Sequence, residues 1–410
     1  MSDNNVMVIV LESLNYYRAY LNSLPKKYSL SGIKELAKDG TTFHKCISVS
    51  NSSWMSTSSL FMGTALGYQH NKSYAWGYSY KDTTSRNTYS DSLFHILKNN
   101  NYRVASFSSP NHNDHPGYKL FKFDLVDDQD KRIDSILGSD EVYSFNTKKE
   151  HFSSMTSFLE KNINNKFAIM SWSYLDHLAL HKNKNPLGRI TSFEETSDYL
   201  NNIFNKLKEL GIYEKTDIYI IGDHGDTFYL NSDLTQEKDA QHGTLPLHIT
   251  THVPLIIKND YIDKGDRYDL VSNIDIYSTI LTSLKIPFSI KKDIPKNLFS
   301  IDLKNIELRD YVLSQNKFIL QDAGGNLDGT AITSKDYCYL YSKDKEYLFY
   351  HILDIVNTSD LLQGFKKEGS TVHFKSWFHN PFMENLENKI IPYFKELLLE
   401  LQKEKYVRKY

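Results

Sequence analysis

The stretch Thr216–Lys258 constrains the fold and the function of this 410-residue chain more than any other. It opens with an apolar run, Asp217–Ile221, which has the length of a buried strand, and this run stops at the letters GDHGD of residues 222–226. His242 and a second buried run, Val253–Lys258, come later in the same stretch. In parallel α/β sheets, ligands bind at the carboxyl ends of the strands. A carboxylate beside an imidazole at such an end indicates either a ligand site or an ordinary polar turn, and this pair alone does not decide between them.

A carboxylate also follows the first apolar run of the chain. Val6–Leu11 has the continuous apolar character of a central parallel strand, and Glu12 comes directly after it. Glu12 is therefore either a neighbour of a helix N-cap or a ligand at the edge of a sheet. A Ser-rich segment, Ser48–Thr64, runs into an apolar stretch and a glycine, and by itself it indicates a linker that enters a helix capped by serine.

The pattern of elements predicts an α/β fold. Strand-length apolar runs alternate with amphipathic helical patterns as far as Pro287, and short strands and turns follow from Ile306. We expect a mainly parallel central sheet between helices over residues 1–300, and a small C-terminal antiparallel subdomain over residues 301–385. A final helix is expected over residues 386–410. Its one apolar side either docks on the rest of the chain or forms the contact of a homodimer.

Nothing in the composition indicates a nucleic-acid or membrane partner. The formal net charge is −2 and no basic stripe stands out, which argues against nucleic-acid binding. No stretch approaches the roughly 20 apolar residues of a membrane span, so we expect no transmembrane segment. The first residues lack the basic and apolar regions of a signal peptide, and we expect a cytoplasmic protein. The two cysteines, Cys46 and Cys338, form no metal motif and suggest no disulfide framework.

The motifs, in this order, resemble the metal-site segments of the alkaline phosphatase superfamily, in particular its sulfatase and phosphoethanolamine transferase branches. The letters GDHGD, HGT and THVPLIIK all lie within Thr216–Lys258, and LES follows the first strand. Leu270–Pro287 is similar to a helical segment of the superfamily, and the resemblance extends over about Asn5–Leu362. It implies the α/β fold described above and a metal-dependent enzyme.

The resemblance implies four metal ligands, namely Glu12, Ser53, Asp223 and His224. Two carboxylates, an imidazole and a hydroxyl accept Zn²⁺, Mn²⁺, Mg²⁺ or Ca²⁺, and the sequence does not choose among these ions. A bound divalent ion would hold Ser53 as an alkoxide and offset the charge on the transferred group.

Ser53 is the nucleophile that both branches imply. The sulfatase pattern C/S-x-P-S-R and the spacing of the phosphoethanolamine transferases both lead to this residue. Met55 and Thr57 stand where sulfatases need Pro and Arg for the conversion of Cys or Ser to formylglycine. An unconverted serine suits phosphoryl transfer better. We expect a helix that starts near Ser56, with Ser56 as its N-cap and its first N–H groups facing a bound anion.

Several further polar residues are candidates for binding a second metal or the substrate. His177 corresponds to a phosphoethanolamine transferase histidine with a proline nine residues later, here Pro186, although the Gly and Pro that directly follow that histidine are missing. His181 is an alternative to His177, and Lys182 could meet a negatively charged substrate. His242, before a glycine, would hold the phosphoryl oxygens, bind a second metal or protonate the leaving group.

The sequence thus predicts a metal-dependent transferase or hydrolase of phosphate esters that passes through a phosphoseryl intermediate. Its partner would be a phosphorylated or sulfated small molecule or glycan. The alternatives are a sulfatase, and a non-catalytic binding protein with a degenerate site. Formylglycine at position 53 would identify the first alternative, and a lack of stoichiometric metal would favour the second.

Overall fold

The computed structural model describes most of the chain. The described residues are 4–16, 19, 31–65, 92–108, 141–144, 148–173, 188–225, 246, 248–289, 296–305, 309–316, 319–320, 325–326, 329–342, 345–350 and 384–403.

An eight-stranded sheet forms the centre of the molecule, in the order β4-β3-β5-β1-β6-β7-β2-β8. Its strands are β1 Asn5–Leu11, β2 Thr41–Ile47, β3 Arg103–Ser108, β4 Glu141–Ser144, β5 Phe167–Ser173, β6 Thr216–Gly222, β7 His252–Lys258 and β8 Gly265–Ser272. Strand β7 runs antiparallel to both of its neighbours. The other pairings between these strands are parallel, so seven strands end at the same edge of the sheet. The predicted mainly parallel sheet is confirmed.

Eight α-helices accompany this sheet among the described residues. They are α1 Ser31–Asp39, α2 Ser53–Met62, α3 Leu93–Asn99, α4 Lys148–Lys161, α5 Gly188–Glu209, α6 His248–Thr251, α7 Asp275–Ser283 and α8 Glu384–Lys403, with a 3₁₀ turn at Lys296–Leu298.

Strand β1 shows why the sheet needs helices on both faces. All seven of its residues are buried, because side chains alternate between two apolar layers. Val8 packs in one layer with Phe94 of α3 and with residues of α7. Ile9 packs in the other layer with Phe158 of α4 and with residues of α5. Burial of such a side chain contributes about 1.5–3 kcal/mol, so both layers stabilise the strand.

A second, antiparallel sheet follows in the chain, as the sequence predicts. Its order is β14-β13-β12-β9. The strands are β9 Val312–Asn316, β12 Gly329–Thr333, β13 Tyr337–Ser342 and β14 Lys345–Tyr350, and a two-stranded ribbon pairs β10 Ile319–Leu320 with β11 Gly325–Asn326. Phe394 of α8 stacks on Tyr339 of β13, with 5.6 Å between the ring centroids. This contact belongs to a third apolar cluster, which also contains Ile47 of β2. Helix α8 is therefore docked on the antiparallel sheet.

Two further predictions from the sequence, on disulfides and on membrane spans, can be compared with the structure. Cys46 and Cys338 are buried free thiols, which agrees with the expected lack of a disulfide framework. Within the part of the chain that the structure describes, no helix is both long enough and apolar enough to cross a membrane.

Candidate active site

Four of the predicted site residues meet at the edge where the parallel strands end. Glu12 follows β1, Asp223 and His224 follow β6, and Ser53 opens helix α2 after β2. Ser53 Oγ lies 2.8 Å from Glu12 Oε1 and 2.9 Å from His224 Nε2. His224 Nε2 lies 3.8 Å from Glu12 Oε1 and 3.5 Å from Asp223 Oδ2. The site is therefore built at three strand ends that are distant in the sequence; β1 and β6 are neighbours in the sheet, and β7 separates β6 from β2.

The loop after β1 crosses the end of β6 and fixes Glu12 beside Asp223. Ser13 adopts a left-handed backbone conformation, with φ 56°, which is strained for a residue with a side chain. In this conformation the Ser13 N–H donates to Asp223 Oδ1 at 2.8 Å. A Cβ on Gly222 would collide with the Leu14 carbonyl oxygen, so the close crossing requires glycine at that position.

Asp223 has one oxygen that is satisfied and one that is not. Its Oδ1 accepts hydrogen bonds from the backbone N–H groups of Ser13 and His224, both at 2.8 Å. Its Oδ2 is buried and accepts no hydrogen bond from the described residues. A buried oxygen that lacks a partner costs about 1–3 kcal/mol, and more if it is charged. A cation bound next to Oδ2 would remove this cost.

His224 presents a single nitrogen to the site. Its Nδ1 lies 2.8 Å from the Gly225 carbonyl oxygen, so Nδ1 carries the proton and donates it there. The lone pair of Nε2 then points towards Ser53 Oγ. A carbonyl that fixes the tautomer in this way is typical of histidines that bind metals.

Glu12 is buried and lies close to a second carboxylate. Its Oε1 accepts a hydrogen bond from Ser53, and its Oε2 accepts one from the Trp172 indole N–H at 2.6 Å. Burial and then the charge of Asp223 raise the pKa of Glu12 well above its ordinary value, and the Ser53 and Trp172 hydrogen bonds oppose this rise.

The three groups with metal-ligand character fit a divalent cation. Glu12, Asp223 and His224 are all buried, and their donor atoms lie within 4.8 Å of one another. Two buried carboxylates at this separation repel each other, and a cation between them would be attracted to both. Asp223 Oδ2, which accepts no hydrogen bond from the described residues, also favours a bound cation at this position.

Helix α2 begins at Ser53, so the predicted start near Ser56 is wrong. Ser52 is the N-cap residue, and its side chain makes no capping hydrogen bond. Ser56 lies inside the helix, where its hydroxyl donates to the Asp223 carbonyl oxygen and accepts from Asn273 Nδ2 at 2.9 Å. The nucleophile candidate is thus the first helical residue, next to N–H groups that have no partner within the helix.

A hydrogen-bond network supports the loop that carries Ser53, and the sequence did not reveal it. Ser48 Oγ lies 2.7 Å from the Asp223 carbonyl oxygen and 2.9 Å from Ser56 Oγ. Ser314 of β9 donates to the Ser48 carbonyl oxygen at 2.6 Å, and Gln315 N donates to the Val49 carbonyl oxygen at 2.9 Å. Strand β9 therefore supports the loop, and nothing in the local sequence around Ser314 indicates this.

Two positions depart from the sulfatase pattern, and the structure shows what replaces it. Met55 is buried. The Thr57 hydroxyl turns back into the helix and donates to the Ser53 carbonyl oxygen at 2.6 Å. Where the sulfatase pattern has an arginine, this chain therefore has a threonine whose hydroxyl bonds to a carbonyl of the same helix.

The remaining candidates, His177, His181, Lys182 and His242, lie outside the described residues. Their proposed roles in phosphoryl binding, in a second metal site or in leaving-group protonation stay predictions, as do the ligand roles of the four residues that the structure brings together.

The order of the sheet and the reversed strand β7 match the alkaline phosphatase-like α/β fold that the motifs predict. A family model described as sulfatase matches residues 4–286, and the chain belongs to the sulfatase family. A search of curated proteins finds no match.

Solved structures agree on this fold. A putative sulfatase from Bacteroides thetaiotaomicron is similar at a TM-score of 0.64 and 13% identity, over 98% of this chain and 93% of that one. The lipoteichoic acid synthase LtaP from Listeria monocytogenes has a TM-score of 0.59 at 15% identity, and 85% of each chain is covered. An alkaline phosphatase superfamily protein from Vibrio parahaemolyticus has a TM-score of 0.57 at 15% identity, over 84% of this chain and 79% of that one. At these identities the likeness concerns the fold.

Proposed function

We propose that this chain is a metal-dependent transferase or hydrolase of phosphate esters that uses Ser53 as its nucleophile. The observation that carries the proposal is the place of Ser53, whose Oγ lies 2.8 Å from Glu12 Oε1 and 2.9 Å from His224 Nε2. A nucleophile held beside a buried carboxylate and an imidazole, at the first residue of a helix, has the arrangement that covalent catalysis requires.

In the proposed reaction, Ser53 Oγ attacks the phosphorus of the ester. A bond forms between this oxygen and phosphorus, and the bond to the leaving oxygen breaks. The Ser53 hydroxyl donates to Glu12 Oε1 at 2.8 Å. With a cation held by Glu12, Asp223 and His224, this proton would pass to solvent, and the leaving oxygen takes up a proton from solvent. When bound, a divalent ion lowers the pKa of the hydroxyl and offsets the charge on the phosphoryl oxygens. Water or an acceptor alcohol then attacks the phosphoserine and restores Ser53.

Helix α2 supports the anionic group in this reaction. Its first turn begins at Ser53, and the N–H groups of a first helical turn carry partial positive charge. A phosphoryl group bonded to Ser53 Oγ therefore lies next to the positive end of the helix, where anions bind readily.

Two features favour phosphate over sulfate as the ester. Sulfatases act through a formylglycine made from Cys or Ser, and the Pro and Arg that this conversion needs are replaced by Met55 and Thr57. Thr57 is engaged with the carbonyl of Ser53 itself. We therefore infer that Ser53 stays a serine, and that the substrate is a phosphorylated small molecule or glycan.

A panel of esters tests the proposal. Purified protein is assayed with Zn²⁺, Mn²⁺, Mg²⁺ and Ca²⁺ against phosphate monoesters, phosphate diesters and sulfate esters. We expect metal-dependent cleavage of a phosphate ester, with a phosphoserine that mass spectrometry maps to Ser53. Ser53→Ala should lower kcat/KM by about 10⁴-fold or more, since removal of a covalent nucleophile has effects of that order.

Ser52→Ala is the matched control, because Ser52 is the adjacent serine and its side chain makes no capping bond. This variant should keep kcat/KM within a factor of about three, as expected for a side chain without a role in the reaction. Faster cleavage of sulfate esters, together with a mass loss of about 2 Da at position 53 from formylglycine, would instead identify the protein as a sulfatase.

A further inference from the structure

Each of the four ligand candidates turns one donor atom towards the other three. Asp223 Oδ1 is engaged by two backbone N–H groups and leaves Oδ2. His224 Nδ1 is engaged by the Gly225 carbonyl and leaves Nε2. Glu12 Oε2 accepts from the Trp172 indole N–H, and Oε1, which accepts from Ser53 Oγ at 2.8 Å and from Ser13 Oγ at 3.4 Å, is the oxygen that faces the other ligand candidates. The described residues therefore offer three oxygens and one nitrogen.

Trp172 differs from the groups that hold Asp223 and His224 because its contribution comes from a side chain. The backbone N–H groups that hold Asp223, and the carbonyl that holds His224, would be present with other residues at those positions. The indole of Trp172 is specific to tryptophan. Its N–H can donate a hydrogen bond but has no lone pair for a metal, so it can restrain Glu12 without joining the ligand set.

The sheet places Trp172 where it can reach Glu12. Strand β5 lies beside β1, and Trp172 is the register partner of Val10. Both side chains belong to the same apolar layer. Glu12 lies in the turn that directly follows β1, and its Oε2 reaches the Trp172 indole N–H. The Nε1–Oε2 distance is 2.6 Å and the indole is buried, so solvent does not compete for this bond.

The geometry points to Trp172 as a positioning residue that holds Glu12 as a one-atom ligand and thereby makes the site prefer Zn²⁺ to Ca²⁺. Zn²⁺ is typically bound by four donors that include nitrogen. Ca²⁺ takes six to eight oxygens and often binds a carboxylate through both of its oxygens. The indole occupies one lone pair of Oε2, so binding of a single cation through both oxygens of Glu12 would have to distort or displace this hydrogen bond. This inference rests on the metal site of the proposed function.

Metal competition on Trp172→Phe tests the inference without an activity assay. Dissociation constants for Zn²⁺ and Ca²⁺ are measured by competition with a chromophoric chelator, for the wild-type protein and for the variant. Phenylalanine keeps an aromatic ring and removes the N–H, so Oε2 becomes free. We expect the preference for Zn²⁺ over Ca²⁺ to fall by about 10- to 100-fold, the range found when a group that orients a metal ligand is removed.

Two further variants separate the explanations. Met170→Ala opens a cavity on the same face of β5, in the same apolar layer, and removes no hydrogen bond to Glu12. It should leave the preference unchanged, and an equal fall in Met170→Ala and Trp172→Phe would overturn the inference. Glu12→Gln should weaken binding of both ions. If it did not, the metal site of the proposed function would itself be wrong, whereas an unchanged preference in Trp172→Phe alone would refute only the role of Trp172.

Indole NMR signals test the contact in the wild-type protein, which keeps the inference falsifiable if Trp172→Phe does not fold. The chain has four tryptophans, and ¹⁵N-labelled indole groups give one signal each. Substitution of the other three by Phe, one at a time, assigns the signal of Trp172 by elimination. Addition of Zn²⁺ should shift this signal and slow the exchange of its proton with water. A Trp172 signal that Zn²⁺ leaves unmoved would contradict the inference.

Discussion

Asp223 and Asp275 occupy the same edge of the central sheet, and their surroundings are opposite. Both are fully buried, and each follows the end of a strand, β6 or β8. Both oxygens of Asp275 are engaged, because Oδ1 accepts from Ile301 N at 3.0 Å and from Arg309, and Oδ2 accepts from Ser272 N at 2.7 Å. Asp223 Oδ2 has no such partner within the described parts of the chain.

The comparison shows that burial of an acid does not by itself mark a functional site. Burial raises the pKa of Asp275, while the Arg309 guanidinium and two backbone N–H groups oppose the rise. Arg309 also donates to the Asn297 carbonyl at 2.7 Å, so the pair ties the segment after α7 to the sheet. An acid whose lone pairs are all used stabilises structure. A buried acid with one carboxylate oxygen that accepts no hydrogen bond can bind a cation through that oxygen.

Asp223→Asn should give the largest effect. The amide keeps the size of the side chain and removes the charge that a cation needs, so we expect metal binding to fall and activity to drop by about 10⁴-fold. Unfolding of the metal-free protein should be no easier than in the wild type, because the variant removes an unpaired buried charge. Elemental analysis and thermal unfolding in a chelator measure the two quantities. Retention of full metal content and activity would make Asp223 a turn residue.

Arg309→Met should give the next largest effect, and it should act on stability. The substitution leaves the carboxylate of Asp275 buried without its cation, which typically costs about 3–5 kcal/mol. Denaturant unfolding measures this loss, and the folded fraction should still bind metal with unchanged stoichiometry. The double variant Arg309→Met, Asp275→Asn should recover part of the loss. A loss of metal binding without a loss of stability would reverse the roles that we assign to the two aspartates.

Asp217 lies at the opposite end of β6 and adds a third buried aspartate to the comparison. Its effect on stability should depend on pH. Its Oδ1 accepts a hydrogen bond from Asn4 at 2.8 Å, and burial raises its pKa from 3.8 to about 6, opposed by Asn4 and Lys258. The folded state therefore holds the proton more tightly than the unfolded state, and stability is lost as the pH rises through about 6. Asp217→Asn should raise the free energy of unfolding at pH 7 by up to about 3 kcal/mol.

That gain should shrink as the pH falls from 7 to 4, because the wild-type carboxyl is then protonated as well. Denaturant unfolding of both proteins at several pH values follows the difference. A gain that stayed constant down to pH 4 would show that Asp217 is not protonated on folding.

Ser56→Ala should give the smallest effect, about 1 kcal/mol of stability, because it removes one buried hydroxyl that bridges the Asp223 carbonyl and Asn273. Ser283→Ala is the matched control, since its hydroxyl bonds to the Ile280 carbonyl in α7, at 2.9 Å. We expect Ser56→Ala, and not the control, to lower kcat/KM by a few fold through displacement of α2. Identical effects of the two variants on activity would rule out that connection.

The strands that carry the site could be predicted almost to the residue. The run Val6–Leu11 became β1 Asn5–Leu11, and Val253–Lys258 became β7 His252–Lys258. Continuous apolar character specifies burial on both faces, and therefore position within a sheet. It carries no information on direction, so the reversal of β7 could not be predicted. The fold class followed from the alternation of elements.

The start of α2 and the hydrogen bonds that support the site could not be predicted, because they depend on contacts between residues that are far apart in the sequence. Several serines in the segment suit an N-cap, and the choice is made by a hydrogen bond from Ser56 to a carbonyl 167 positions away in the chain. Ile274 is the N-cap residue of α7, and Asp275, the first residue of this helix, pairs with Arg309, which lies 34 positions further along the chain. The bond from Trp172 to Glu12 spans 160 positions and has no local signal.

The support of the Ser53 loop by β9 has a consequence for the order in which a ribosome makes this protein. The four residues of the site have all been added once His224 is in the chain, but Ser314 and Gln315, which hold the carbonyls of Ser48 and Val49, come about 90 residues later. A nascent chain of intermediate length therefore contains all four ligand candidates, while the loop that carries Ser53 still lacks its hydrogen bonds to β9. Synthesis of β9 completes the support of the candidate site, although the antiparallel sheet contributes none of the four ligand candidates.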